Sequence, residues 1–256
     1  MGIYLFIDGG YLREDYARAV EPWFDGKGEI NFAAIVNRST ATRSFYYDAA
    51  EDEDPSVFAR IQEEAGCVLR LGSLKGRKKR QKKVDIMLAL DMVNHAVRKN
   101  MFRAILVAGD HDFEPVVRAV SDLGIPVEVV ADSRSRALEL TNAADKFTPI
   151  TFLDYWNWSA QNLKDQFPIP QIGGLTVAEL EPVVKRGSVA GRFPCKLFNP
   201  TAHRPPVDTY WCLSIQSYKN AESIMLGVGA GTTAPRVSTE RLQLFCDLQY
   251  GKVEWE

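Results

Sequence analysis

A run of apolar residues that ends in aspartates most constrains the fold of this 256-residue chain. Residues 104–113 read AILVAGDHDF, which predicts a buried strand that brings Asp110 and Asp112 to its carboxyl end. Residues 3–7 read IYLFI and form a second such run, which Asp8 follows at once. Open α/β sheets bind ligands at the carboxyl ends of their strands. We therefore expect the two strands to carry acids to one edge of a sheet.

A third acid, Asp85, lies beside an apolar helix face. The residues of that face recur at helical spacing and predict a helix over 84–99 with Asp85 in its first turn: Val84, Leu88, Met92 and Ala96. At about 100° per residue, Asp85 and Asp91 lie about 120° apart around the helix, so we do not expect them to serve one compact site equally. A first-turn side chain points past the end of the helix, which favours Asp85.

Several neighbouring aspartates suggest a metal site. Carboxylates without a cation raise one another's pKa, whereas a divalent cation keeps them ionised. Magnesium prefers oxygen ligands and is usually held by one or two protein carboxylates plus substrate phosphates, so the cluster suggests phosphoryl chemistry with Mg²⁺ or Mn²⁺. The competing interpretation is that each acid only caps a helix, which fits Asp112 ahead of Pro115. Acids from separate elements that converge on one edge favour an active site.

Ordered motifs over residues 3–150 resemble the NYN domains of the PIN-like nuclease superfamily, in particular the LabA-like branch. The matching segments are 7–10 (IDGG), 46–49 (YYDA), 69–72 (LRLG), 82–85 (KKVD), 88–91 (LALD), 109–113 (GDHDF) and 144–147 (ADKF).

The resemblance implies a metal-dependent ribonuclease. It implies that the catalytic and metal-binding residues are Asp8, Asp85, Asp110 and Asp112, with Asp48 and Asp91 at accessory positions. The chain departs from the family pattern at two places: Tyr11 stands where members often carry Asn, and Ala108 where they often carry Ser. These changes remove polar groups that help to position a metal or a phosphate. His111, between two acids, is interpreted either as a solvent-facing turn residue, which is favoured, or as a phosphate contact.

A basic segment precedes Asp85 although the net charge of the chain is −2. We predict that it forms a loop whose side chains contact substrate phosphates: Lys75, Arg77, Lys78, Lys79, Arg80, Lys82 and Lys83. The alternative is a solvated loop, or a run that resembles a nuclear-localisation signal. The acidic segment 51–54 is expected to be surface that complements the dipole of the following helix.

Composition predicts a soluble cytoplasmic protein without a membrane partner. The chain has no apolar run long enough for a transmembrane helix and no signal-peptide pattern at its amino terminus. The cysteines form no CxxC pair and are expected to be buried free thiols: Cys67, Cys195, Cys212 and Cys246. His203 lies between two of them, but this spacing fits no standard zinc finger.

The predicted strands and helices alternate up to residue 150. This order predicts an α/β, PIN-like and mostly parallel sheet sandwiched by helices, in a domain of residues 1–155. A linker is predicted over 156–173, followed by a small, mostly β domain over 174–256. Within that domain we predict a short helix over 175–185 and partly alternating strand sequence over 242–250. The glycine-rich segment 227–231 lacks a following helix with the dinucleotide fingerprint, which favours a turn over nucleotide binding.

The sequence favours a divalent-metal-dependent endoribonuclease that hydrolyses phosphodiester bonds of single-stranded or structured RNA. The carboxyl-terminal domain would select the substrate or a partner, and a homo-oligomer is left open. The alternative is a non-catalytic RNA-binding or assembly module on the same fold. A small-molecule phosphatase or phosphotransferase normally needs a covalent nucleophile or a nucleotide cradle, and the chain has no P-loop.

Overall fold

A computed structural model describes residues 1–49, 55–72, 77–169, 171–172, 183–189, 193–198, 211–216, 221–227 and 239–256. The chain divides into two units. The first consists of Met1–Pro22 and Lys27–Ala160, and the second consists of Trp23–Gly26 and Gln161–Glu256. The acidic segment 51–54 and Lys75 lie outside the described residues.

The first unit is built on a six-stranded sheet in which every pairing is parallel. Its strands are β1 (Gly2–Asp8), β2 (Arg43–Ala49), β3 (Val68–Gly72), β4 (Met101–Val107), β5 (Val127–Asp132) and β6 (Lys146–Ile150). Their order across the sheet is β3-β2-β1-β4-β5-β6. This confirms the predicted α/β class. The strand order reverses between β1 and β4, and such a switch point is where open α/β sheets form a ligand crevice.

Helices cover both faces of this sheet, which explains why the strands are nearly continuous apolar runs. The helices of the first unit are α1 (Gly9–Val20), α2 (Phe32–Ser39), α3 (Pro55–Glu63), α4 (Arg77–Val97), α5 (Glu114–Asp122), α6 (Leu138–Ala143) and α7 (Phe152–Asn157). Phe6 and Tyr47 belong to a core with residues of α4, α5 and α6. On the other face Tyr46 packs edge-on against Phe32 of α2.

Helix α4 begins seven residues earlier than predicted, and the loop prediction is wrong for residues 77–83. Residues 77–97 contain neither glycine nor proline, and their lysines, arginines and glutamine are good helix formers, so the helix extends back to Arg77. As a result Asp85 lies in the third turn of α4, not in the first. The side chains of residues 77–82 lie outside the described part of the structure.

The second unit contains an antiparallel sheet in the order β12-β8-β9-β10-β11-β7. Its elements are α8 (Gln161–Gln166), β7 (Gln171–Ile172), β8 (Val183–Val189), β9 (Phe193–Phe198), β10 (Trp211–Gln216), β11 (Ala221–Gly227), α9 (Thr239–Tyr250) and β12 (Val253–Trp255). The fully buried Trp23 donates its indole N–H to the carbonyl of Phe167 at 3.0 Å and packs edge-on against Phe245. Trp23 and Phe24 are therefore part of this unit's core.

Two predictions for the second unit are wrong. Residues 242–250 lie in helix α9, where consecutive Phe245 and Cys246 are both buried, a pattern that a one-sided strand does not allow. Residues 183–185 lie in β8, because pairing with β9 overrides the local helical pattern.

Several other predicted segments fall partly outside the described residues. Residues 175–182 and the rest of the glycine-rich segment after Gly227 lie outside them. The predicted linker includes the end of α7 and helix α8. Cys67 and Cys246 are buried free thiols, whereas the side chains of Cys195 and Cys212 are outside the described part.

The two faces of α4 differ enough for a direct test of its placement. Leu88 is fully buried against the sheet, whereas Leu90 is 57% exposed. We expect Leu88→Ala to lower the free energy of unfolding by about 2–5 kcal/mol, because it leaves a cavity in the core. Leu90→Ala is the matched control and should change it by less than about 0.5 kcal/mol. Urea denaturation measures both, and equal losses would contradict the placement.

An acidic site at the carboxyl edge of the parallel sheet

Two neighbouring strands deliver acids to the same edge of the first unit. Asp8 is the last residue of β1, and Asp110 follows β4 by three residues. The two strands pair in parallel, with Ile7 opposite Val107, so their carboxyl ends lie side by side. This edge is the switch point of the sheet, where the following chain segments leave in different directions. The topology therefore brings together two acids that are about one hundred residues apart in sequence.

Asp8 both caps a helix and faces the site. Its Oδ1 accepts the backbone N–H of Tyr11 at 3.2 Å, which caps α1. The next residue must be small, because a Cβ on Gly9 would lie 2.4 Å from the ring of Tyr46 and 2.6 Å from Oδ2 of Asp48. The close approach at Gly9 thus lets α1 start directly after the strand and holds Asp8 at the edge.

Asp110, His111 and Asp112 form a compact group at the start of α5. Asp110 accepts the backbone N–H of Asp112 at 3.0 Å and caps the short 3₁₀ turn. The ring nitrogens of His111 lie 3.0 Å from Asp110 Oδ1 and 3.1 Å from Asp112 Oδ1, and all three side chains are exposed. Asp110 and not Asp112 is the cap, which corrects the capping interpretation of Asp112. Capping and membership of the acidic site are not exclusive, because Asp8 and Asp110 do both.

Burial and mutual repulsion raise the pKa of two of these acids. Burial raises the pKa of Asp8 to about 7, against the opposing N–H of Tyr11, and the charges of Asp85, Asp48 and Asp110 add to the rise. Burial likewise raises the pKa of Asp85 to about 6, and the charges of Asp110 and Asp112 add to it. The predicted catalytic acids Asp8, Asp85 and Asp110 therefore act on one another across the same crevice.

Asp85 reaches the site from the middle of α4. Val84 and Leu88 are buried against the sheet and fix this part of the helix. Asp85 itself is only partly buried and makes neither a hydrogen bond nor an ion pair with the described residues. The sequence-based reason for preferring Asp85, a side chain that points past the helix end, is wrong because α4 continues for two turns ahead of it.

The two accessory acids have different surroundings. Asp48 is 3% exposed and is held by the Arg13 guanidinium at 2.8 Å, the Tyr46 hydroxyl at 2.8 Å and the backbone N–H of Ala49 at 2.7 Å. Burial raises the pKa of Asp48, and the charge of Arg13 opposes that rise. Asp48 therefore lines the site with its oxygens already engaged.

Asp91 binds residues of β2 and β3. Its Oδ2 accepts the hydroxyl of Tyr47 at 2.9 Å and the Nε–H of Arg70 at 3.1 Å. These contacts tie α4 to β2 and β3, so Asp91 has a structural role in the described contacts.

Tyr11 is a site residue whose role the sequence did not reveal. Its hydroxyl lies 3.2 Å from Ser135 Oγ and accepts the backbone N–H of Asp132 at 2.9 Å. Its ring occupies the space over Gly109, where a Cβ would lie 2.4 Å from the ring. Tyr11 thereby ties the turn after β1 to the segments after β4 and β5. No local signal indicates this, because Ser135 is 124 residues away in sequence.

A separate cavity of about 230 Å³ lies on the α2 side of the sheet. Its charged residues pair with one another: Glu128 with Arg103 and Lys146, and Arg38 with Asp154. None of the predicted site acids lines it. The acidic site is the crevice at the sheet edge and not this cavity.

The donor set of the acidic site fits a hard divalent cation. Carboxylate oxygens are the ligands that Mg²⁺ and Mn²⁺ prefer. Asp8 and Asp85 are partly buried acids, and burial together with the neighbouring negative charges raises their pKa values. A divalent cation bound among these acids would supply the compensating positive charge. Of the predicted phosphate-contacting residues, only Lys83 has a described side chain, and it is partly exposed.

The similarity of this chain to a known protein family lies in its first part. The family model for the NYN domain matches residues 3–153. A comparison with curated proteins gives no match. Among solved structures, a protein of unknown function from Vibrio parahaemolyticus RIMD 2210633 is 19% identical, with a TM-score of 0.48, and the match covers 62% of this chain and 96% of that one. Among the described helices, none has the length and apolar character needed to cross a membrane.

The family match spans more than half of the chain and includes the parallel sheet and each acid of the crevice. NYN domains have the nuclease-like fold of the PIN superfamily, and they are generally hydrolases that use divalent metals. The strand order, the acids at the switch point and the family match lead to one conclusion: this protein belongs to the NYN-domain family.

Proposed function

We propose that this protein is a divalent-metal-dependent endoribonuclease. One observation carries the proposal: partly buried Asp8 and Asp85, from different elements, lie close enough to each other and to Asp110 that burial and the neighbouring negative charges raise their pKa values to about 7 and about 6. A cluster of uncompensated acids at a ligand crevice costs stability, which favours a functional reason for its presence. Membership of the NYN family supports nuclease chemistry and suggests RNA as the substrate.

Asp8, Asp85, Asp110 and Asp112 are the proposed ligands and catalytic residues. When bound, Mg²⁺ or Mn²⁺ would lower the pKa of a water and stabilise charge at the scissile phosphate. The chain's own contribution is positional. The caps at Asp8 and Asp110 fix the direction of both carboxylates, and Tyr11 holds the two turns together. His111 contacts both exposed acids and is a candidate for orienting them.

The basic start of α4 is the proposed phosphate path. Positions 78 and 82 lie two turns and one turn ahead of Asp85, at about 20° and about 60° from it around the helix axis. Positions 79 and 83 lie at about 120° and about 160°. The sugar–phosphate backbone of an RNA that follows α4 toward Asp85 would therefore meet Lys78 and Lys82 first. Lys75, Arg77 and Arg80 would contribute to the general positive potential.

The second unit is the proposed selector of substrate or partner. Its antiparallel sheet belongs to a different unit from the acids, and function in such proteins resides in sites added to a common fold. The predicted division at residues 1–155, 156–173 and 174–256 remains a proposal. A truncated chain that tests this division has to account for Trp23 and Phe24, which belong to the second unit's core.

The alternative is a non-catalytic RNA-binding or assembly module. Two changes favour it, because Tyr11 and buried Ala108 replace polar residues that members often carry. Incubation of labelled single-stranded RNA, structured RNA and DNA with Mg²⁺ or Mn²⁺, and separately with chelator, distinguishes the two functions. Cleavage that chelator abolishes supports the nuclease, whereas binding without cleavage supports the module.

Removal of one carboxylate from the cluster tests the catalytic proposal. We expect Asp8→Asn, Asp85→Asn and Asp110→Asn each to lower RNA cleavage by roughly a hundredfold or more, because each removes a negative charge that holds the metal. Asn is also a good cap, so the fold should survive at Asp8 and Asp110. Asp122→Asn, at an exposed position of α5, is the matched control. Near-normal cleavage by Asp110→Asn would contradict the mechanism.

The raised pKa values predict a pH dependence of stability in chelator. Below about pH 4, Asp8 and Asp85 are protonated in both the folded and the unfolded state. Between about pH 4 and about pH 7 the folded state keeps protons that the unfolded state loses, so the free energy of unfolding falls as the pH rises. We expect the Tm of the wild type to fall more between about pH 5 and about pH 8 than that of Asp8→Asn. Added Mn²⁺ should raise the wild-type Tm most at the higher pH. Parallel curves for both proteins would contradict this assignment.

Paired lysine substitutions test the phosphate path. Lys78→Gln with Lys82→Gln should flatten the log–log salt dependence of single-stranded RNA binding by about 1.4, since each lost phosphate contact removes about 0.7. Lys79→Gln with Lys83→Gln removes the same charge from the other side of the helix and is the control. Turnover of saturating substrate should change less, because these residues position the backbone. Equal effects of the two pairs would show that only the overall charge matters.

A further inference from the structure

Three arginines lie near the ring of His95, which belongs to the last turn of α4. They come from different elements: Arg43 from β2, Arg70 from β3, and Arg98 from the segment that follows α4. The guanidinium carbons of Arg43 and Arg70 lie 5.2 Å and 6.0 Å from the ring centroid of Phe45. That ring lies 5.1 Å from the ring of His95. We call Arg43, Arg70, Arg98 and His95 the arginine patch.

The arginine patch has an excess of positive charge. Arg43 and Arg98 are exposed, and their side chains make neither an ion pair nor a hydrogen bond with the described residues. Burial lowers the pKa of His95, the charge of Asp91 opposes this, and the charges of the three arginines lower the pKa further. Asp91 already accepts the Nε–H of Arg70. The excess is local, because the whole chain has 33 acidic and 31 basic residues.

The ring of His95 is held in one orientation and adds a donor to the arginine patch. Nδ2 of Asn100 lies 3.0 Å from Nδ1 of His95, and because an amide nitrogen only donates, Nδ1 accepts and the ring proton lies on Nε2. Nε2 makes no hydrogen bond with the described residues. Tyr4 packs edge-on against the ring at 5.1 Å. Guanidinium groups have donors and no acceptor, so the patch offers donors alone.

We propose that the arginine patch binds a phosphate group. A phosphate has several strongly accepting oxygens and up to two negative charges, which suits three arginines better than the single charge of a carboxylate. The planar guanidinium fork matches phosphate oxygens in a bidentate geometry. Packing on Phe45 holds two of the forks in place before a ligand arrives, which lowers the entropic cost of binding.

The sugar–phosphate backbone of RNA is the expected source of this phosphate, a choice that rests on the proposed function. The arginine patch is separate from the acidic crevice, since His95 lies ten residues after Asp85, about 15 Å along the axis of α4. The charges of Asp110 and Asp112 act on Asp85, whereas those of Asp91 and the arginines act on His95. The patch would therefore hold RNA away from the scissile bond.

Binding of labelled single-stranded RNA in chelator, measured by fluorescence anisotropy over a salt series, tests the proposal without cleavage. We expect Arg43→Gln with Arg98→Gln to raise the Kd roughly tenfold and to flatten the log–log salt slope by about 1.4, since each lost phosphate contact removes about 0.7. Arg38→Gln with Arg60→Gln is the matched control, because it removes the same charge from arginines that already pair with carboxylates. The control should weaken binding less.

The pKa of His95 gives a readout that does not depend on RNA. NMR titration of the full chain in chelator, with inorganic phosphate and with chloride at equal ionic strength, measures it, and His95→Gln identifies the signal. We expect phosphate to raise the pKa of His95, because a nearby anion favours the charged imidazolium. The rise should be lost in Arg43→Gln with Arg98→Gln. His111, which lies between two carboxylates, is the internal reference and should not respond.

The two measurements separate the sources of the phosphate. Weaker RNA binding by the patch variant than by the control variant assigns the site to the RNA backbone, and a phosphate-induced rise in the pKa of His95 alone assigns it to a free phosphate. Equal RNA affinities of the two double variants, together with an unchanged pKa of His95, would overturn the proposal. Both measurements are made in chelator, so a failed cleavage assay would leave their results unchanged.

Discussion

The parallel pairing of β1 with β4 is the contact on which the rest of the first unit depends. It places Asp8 beside the turn that carries Asp110, and it creates the switch point at which the chain leaves the sheet in two directions. Close approaches at two glycines preserve this geometry: Gly9 makes room for Tyr46, and Gly109 makes room for Tyr11. A side chain at either glycine would push apart the turns that hold the acids.

The acidic crevice balances burial against charge. Asp48 obtains an internal counter-charge from Arg13, whereas Asp8 and Asp85 have no such partner among the described residues. Burial and the charges of the neighbouring carboxylates raise their pKa values. The fold thus accepts a local loss of stability at neutral pH. A divalent cation would remove that loss, which links the electrostatics of the crevice to the family's hydrolytic chemistry.

Helix α4 links the core, the acidic site and the molecular surface. Its buried side packs on the sheet, Asp85 enters the crevice from its third turn, and Asp91 holds it to Tyr47 and Arg70. On another side of the helix, Ile86, Leu90 and Val97 are exposed. These roles lie at different angles around one helix. A tilt of the helix would affect all of them.

The sequence by itself determined the order of the elements in the first unit and the acids at the ends of β1 and β4, because apolar periodicity and strand-end residues are local signals. It did not determine where α4 begins, because a basic run is compatible with either a loop or a helix. It also did not determine that the hydroxyl of Tyr11 bonds Ser135. It also misread 242–250, where packing of Phe245 and Cys246 decides for a helix. Only the tertiary structure decided these points, because each depends on partners that are distant in sequence.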